Sequence, residues 1–67
     1  MLKISLNGIE CDIAPATSVA ALLDENGYAG RKIAVEINRE IVSKSALAQR
    51  LLHDGDRVEI VHALGGG

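Results

Sequence analysis

The chain has 67 residues, 48% of them hydrophobic and 24% charged, and a net charge of −2 with acids and bases interleaved. That balance fits one small globular domain and excludes a disordered chain, although a domain of this size buries only about 60% of its unfolded surface. Nucleic acid is an unpromising partner, because there is no basic run and Tyr28 is the only aromatic residue on which a base could stack.

Leu2, Ile4 and Leu6 alternate with Lys3 and Ser5, the period of a half-buried strand and not the continuous apolar core of a signal peptide. Asn7-Gly8 follows, the pair best suited to the positive φ angles of a two-residue hairpin turn. Ile9, Cys11 and Ile13 then alternate with Glu10 and Asp12 as the return strand. Pro15, which has no N–H to give a ladder, ends it.

Thr17 or Ser18 supplies an N-cap oxygen for a helix through residues 19–26, with Val19, Leu22 and Leu23 on one face and Gly27 as a left-handed C-terminal cap. Ile33, Val35 and Ile37 predict a third strand, Asn38-Arg39-Glu40 a turn, and Ile41-Val42 a short fourth strand. Ser43 is placed to cap a brief helical segment, Lys44 to Arg50. Asp54-Gly55-Asp56 reads as a turn and Arg57 to Leu64 as the last strand. One helix must then cover one face of a mixed sheet of four to five strands, since neither buries its apolar side alone. The expected fold is a two-layer α+β domain of ubiquitin-like, β-grasp type.

The sequence closes on Gly65-Gly66-Gly67. Three glycines offer no apolar surface and have the largest backbone entropy to lose on ordering. The expected organisation is therefore a domain over residues 1–64 and a flexible tail over 65–67. Such a tail can lie extended in a slot too narrow for a Cβ and present the Gly67 carboxylate to another protein's active site. Val58 and Ile60 set the inward phase of the last strand, so Val61 and Ala63 point outward. With Leu64 they form a candidate docking patch next to the glycines.

The remaining chemistry-bearing residues have plainer readings. Cys11 lies in phase with Ile9 and Ile13 and is a core filler; as the only cysteine it forms no internal disulfide, which suits a cytoplasmic location. Nothing approaches the roughly 20 apolar residues needed to cross a bilayer. His62 stands beside the tail and could steer a carboxylate, but a lone strand histidine is more often structural. His53 is a turn residue, and two scattered histidines with one cysteine make no metal site. Asp54-Gly55-Asp56 lacks the alternating ligands and distal glutamate of a calcium loop. Glu10 and Asp12 belong to a solvated strand face. No GxxxxGK[ST] phosphate cradle is present, so any nucleotide chemistry at Gly67 needs a partner.

Asn7-Gly8, the Val19-Ala20-Ala21-Leu22-Leu23 helix, Ala34-Val35-Glu36-Ile37-Asn38 with Ile41-Val42, and above all the run from Asp54-Gly55-Asp56-Arg57 to Gly65-Gly66-Gly67 resemble the ThiS family. Those proteins are the sulfur carriers of thiamine thiazole biosynthesis, and the likeness covers essentially the whole chain. The resemblance implies a non-enzymatic carrier with no bound cofactor. Its Gly67 carboxylate would be adenylated with ATP by a ThiF-like adenylyltransferase. Sulfur from a donor such as a cysteine desulfurase would convert the adenylate to a thiocarboxylate, which serves a ThiG-like thiazole synthase. Gly65, Gly66, Leu64, Ala63 and Val61 would contact these partners. Two alternatives share the tail: a MoaD-like carrier for molybdopterin, and a ubiquitin-like modifier joined to target lysines through Gly67.

Overall fold

The computed structural model describes residues 1–62, the last of them by its backbone only. The alternating segments form strands and the Ser18-led segment forms a helix. Their order is β1 (Leu2–Leu6), β2 (Ile9–Ile13), α1 (Val19–Glu25), β3 (Ile33–Ile37), β4 (Glu40–Val42), a 3₁₀ turn at Lys44–Ala46, and β5 (Arg57–His62). The strands make one mixed sheet in the order β2-β1-β5-β3-β4. The last strand in sequence is thus the central one, parallel to β1 and antiparallel to β3. This is the expected α+β, β-grasp architecture.

α1 lays Val19, Leu22 and Leu23 against Ile4, Ile13, Val35, Ile37 and Val58 from the sheet, and Leu52 closes the core from the loop before β5. Burying each such side chain stabilises by roughly 1.5–3 kcal/mol relative to exposure. A seven-residue helix is only about 10 Å long, too short to cover every strand. Ile9, beside the turn on outer strand β2, is accordingly 71% exposed, while Ile13 at the other end of β2 is buried. Cys11 between them is half-buried. The alternation along β2 therefore marks the right face, but burial fades along it.

Both hairpins turn through two residues. Asn7 and Gly8 take φ of 52° and 84°, and Asn38 and Arg39 take 52° and 71°. Positive φ at both central residues is the primed turn whose twist matches that of the flanking strands. The second hairpin is therefore tighter than expected. Glu40 belongs to β4, paired with Ile37, and is not part of the turn.

The segment after β4 also departs from expectation. Lys44 to Arg50 forms one 3₁₀ turn and then irregular turns, and Ser43 makes no cap bond from its side chain. The reason lies at the start of α1, whose first N–H groups have no intrahelical acceptors. The Arg50 carbonyl accepts from the Val19 amide at 2.9 Å and the Leu47 carbonyl accepts from the Ala20 amide at 2.9 Å. Ser18 Oγ accepts from the Ala21 amide at 3.1 Å, settling the cap on Ser18. Leu47 and Arg50 thus turn their carbonyls toward α1 instead of continuing a helix of their own.

Candidate functional site at the end of the central strand

β5 is the last described element before the glycine run in sequence. Its start is held by a buried carboxylate. Asp56 accepts from the His53 amide at 2.8 Å and from Asn38 Nδ2 at 3.0 Å, with Arg50 Nη2 at 3.8 Å. The preceding turn is stapled to β1: Asp54 Oδ1 accepts from the Lys3 amide and the Lys3 carbonyl accepts from the Gly55 amide, both at 2.7 Å. Asp54-Gly55-Asp56 is a structural turn, as its sequence suggests.

Further along, the turn asparagines grip β5 from opposite sides. Asn38 Oδ1 accepts from the Arg57 amide at 3.0 Å, and its own amide donates to the Arg57 carbonyl at 2.9 Å. On the other side the Asn7 amide donates to the Val58 carbonyl at 2.9 Å, and Asn7 Oδ1 accepts from the Ile60 amide at 2.8 Å. Pairing with β1 ends at Val58, whereas pairing with β3 continues to Ile33–His62. Beyond Ile60, which Asn7 still holds, β3 is the only strand among the described residues that pairs with β5.

Residues directly opposite in a ladder share a face. Val61 lies opposite Ala34, and Glu59 opposite Glu36, which in turn lies opposite Ile41 on β4. Val58, opposite Ile37, is fully buried on the helix side, so Val61 belongs to the helix-free face, where it is 49% exposed. The face thus carries exposed Ala34, Val61 and Ile41 around a Glu36–Glu59 pair. Two carboxylates directly opposite each other are mildly unfavourable in a ladder. A partner bringing apolar groups and a cation would relieve both features.

Of the residues expected to meet partners, Val61 lies where the strand phase put it. Ala63, Leu64, Gly65, Gly66 and Gly67 lie outside the described residues, as does the boundary expected after residue 64, and the side chain of His62 is likewise not described. Glu10 and Asp12 are exposed on the sheet. The His53 ring is 74% exposed and sits 4.0 Å from the Asp56 carboxylate, so its backbone amide is the part that structures the turn. Among the described residues no group of three His, Cys, Asp or Glu side chains could hold a metal ion. No helix among them is long and apolar enough to cross a membrane. The anchoring roles of Asn7, Asn38 and Asp56 escaped the sequence reading. Turn propensity was their only local signal, and it says nothing of bonds to a distant strand.

Comparison with known proteins gives this geometry a context. The model of the ThiS family matches residues 4–67. The chain is 48% identical over 66 residues to a thiazole synthase of Paramagnetospirillum magneticum and 38% identical to one of Magnetococcus marinus. In each case the match takes in 98% of this chain and 20% of the relative, so the chain spans one fifth of the length of these proteins. Among solved structures, the thiamine biosynthesis protein ThiS of Geobacter metallireducens superposes with a TM-score of 0.85 at 29% identity, covering 98% of this chain and 100% of that one.

Proposed function

The chain belongs to the ThiS family, and from that premise we propose that it is a sulfur carrier for the thiazole ring of thiamine, with Gly67 as the carrying residue. The observation that carries the reading is the extent of the family match, which runs from Ile4 through the central strand to Gly67 and includes the glycine run. The Geobacter protein, matched over its full length, adds support through its fold and its name.

The chemistry follows from the properties of an α-carboxylate. Its pKa near 3.5 makes it an anion at neutral pH and a poor electrophile. Attack of the Gly67 carboxylate on the α-phosphorus of ATP expels pyrophosphate and leaves a mixed anhydride with AMP. The terminal sulfur of a donor persulfide then displaces AMP to give an acyl disulfide. A thiol co-reactant cleaves its S–S bond, leaving a thiocarboxylate in which one oxygen has become sulfur and a disulfide between the thiol and the donor. This protein is a co-substrate in that scheme. A ThiF-like adenylyltransferase binds and consumes the ATP, and a cysteine desulfurase is the sulfur donor that fits. Glycines allow the tail to thread a narrow slot in each partner, while Val61 and its helix-free face provide the surface on which the partner rests.

The acceptor we infer is a thiazole synthase of the ThiG type. Two relatives bear that name and are about five times as long as the matched segment. A carrier segment joined to the enzyme it serves accounts for both facts.

Intact-mass measurement tests the reading. The protein is incubated with ATP, a ThiF-like enzyme and a sulfur donor, and then presented to a thiazole synthase. The expected result is replacement of one oxygen by one sulfur, absent when Gly67 is deleted, with the sulfur lost again as thiazole forms. An unchanged mass, with the same enzyme active on another carrier, would refute the reading. Transfer to a molybdopterin precursor but not to thiazole would move the protein to the MoaD-like branch, and conjugation to lysines would make it a modifier.

A further inference from the structure

On the helix side of the sheet, well away from the face that carries Val61, a cavity of about 410 Å³ opens between α1, the loop before β3, the two strands β3 and β4, and the 3₁₀ turn. Its floor is the core itself: Leu23 and Val35 are buried, and Ile33, Val42 and Leu47 pack against them. Small residues leave it open. Ala20 forms the α1 wall, and Ala29 and Gly30 form the loop wall, with Tyr28 as the only ring available to fill space. Apolar atoms lining such a space lack packing partners on one side, which an inserted apolar group would supply.

The mouth has a different character. Arg31, Lys32 and Lys44 line it and no acid does, in a chain with nine acids and seven lysines and arginines. None of the three cations forms an ion pair among the described residues. Arg31 and Lys32 come from the loop before β3, and Lys44 from the 3₁₀ turn after β4, so the positive charge brackets the apolar floor from two elements. The volume lies within the range of ligand-binding pockets.

We propose that this cavity is a docking site for an extended segment of a partner protein that inserts a large apolar side chain flanked on both sides by carboxylates. A single-headed small anion would engage one side of the mouth, whereas an acid–apolar–acid segment engages both. The location favours a partner already handling this protein. Ile33, which forms part of the floor, pairs with His62 at the end of β5. A protein engaged at that strand end therefore has the cavity within reach. The site depends on charge and shape alone and goes beyond the sulfur-carrier reading.

The test is a titration of the isotope-labelled full chain with a synthetic capped hexapeptide, a central Phe-Leu with two acidic residues on each side, followed by NMR. Shift changes are expected at Leu23, Tyr28, Ile33, Val42 and Leu47, weakening as salt screens the mouth. Lys44→Glu and Lys32→Glu should each weaken binding roughly two- to fivefold, as expected for single exposed charges. Ala20→Leu, which fills the cavity, should abolish it; should that variant fail to fold, the two exposed charge reversals still decide. Three results would overturn the proposal: no response at these residues with peptide in excess, an equal response to the same peptide with Asn and Gln in place of the acids, or binding of 4-phenylbutyrate without binding of the peptide. The last would assign the cavity to a small anion.

Discussion

Asn7 and Ile60 lie 53 positions apart, yet Asn7 Oδ1 accepts a hydrogen bond from the Ile60 amide at 2.8 Å. Asn7 also occupies the first central position of the β1–β2 turn at φ 52°. One side chain therefore closes a local hairpin and continues the β1 side of the sheet past the point where β1 itself stops pairing with β5. Asn38, at the same φ in the other hairpin, does the equivalent work on the opposite side of β5. The strand that leads to the glycines is thus held by two turns.

Asn7→Ala removes both roles. The side-chain hydrogen bond is worth about 1 kcal/mol and the positive φ costs an alanine roughly another. A loss of about 2 kcal/mol is expected, lowering the melting temperature by roughly 8–16 °C for a domain this small. Asn7→Asp, which keeps an acceptor and tolerates the turn, should lose well under half of that. Thermal denaturation of the two variants checks the claim, and equal losses would contradict it.

Asp56 is 7% exposed and accepts two hydrogen bonds, from the His53 amide and the Asn38 amide group. Asp56→Ala strands both donors and leaves the Arg50 guanidinium without its carboxylate, at an expected cost of roughly 2–3 kcal/mol. His53→Ala should be nearly silent, because the exposed ring contributes little while the backbone amide is retained. Urea denaturation separates the two. A His53→Ala loss matching that of Asp56→Ala would mean that the ring, and not the amide, organises this turn.

Ser18→Ala removes the oxygen that accepts from the Ala21 amide. The expected loss is about 1 kcal/mol, typical of an N-cap. Amide exchange should accelerate most at Ala21. Val19 and Ala20 should stay protected, because the carbonyls of Arg50 and Leu47, not the cap, satisfy their amides. Uniform acceleration across the first turn would show that the loop does not hold the helix start independently.

Val61→Asp adds a carboxylate beside the Glu36–Glu59 pair on the helix-free face. Val61 is half exposed and outside the core, so stability should change by no more than about 0.5–1 kcal/mol. On the proposed function, sulfur loading by a ThiF-like enzyme should fall roughly tenfold or more, since a charge introduced into an apolar contact is poorly tolerated. Loading at the wild-type rate would remove Val61 from the proposed partner-facing surface.

Where an element's cause lies within a few residues, the sequence identified it: the alternation of Leu2 to Leu6, the positive-φ pair Asn7-Gly8, the Val19, Leu22 and Leu23 face, and Pro15 as a strand end all appear where expected. The misjudged segments are those whose local preference yields to distant partners. Asn38-Arg39 adopts a primed turn without glycine because the Asn38 amide and side-chain oxygen both bond Arg57. Leu47 and Arg50 give up helical continuation to supply acceptors for α1.

By itself the sequence determined the repertoire of strands and helix and the apolar face of each, and it supplied the glycine run on which the proposed function rests, because periodicity, turn chemistry and backbone freedom are properties of short stretches. Only the tertiary structure decided that the last strand lies in the middle of the sheet, that two asparagines and Asp56 secure it, and that Val61 meets Ala34 on the helix-free face. Those outcomes depend on which hydrogen-bonding edges and apolar faces are satisfied together, a condition imposed on the whole chain at once and written in no single stretch of it.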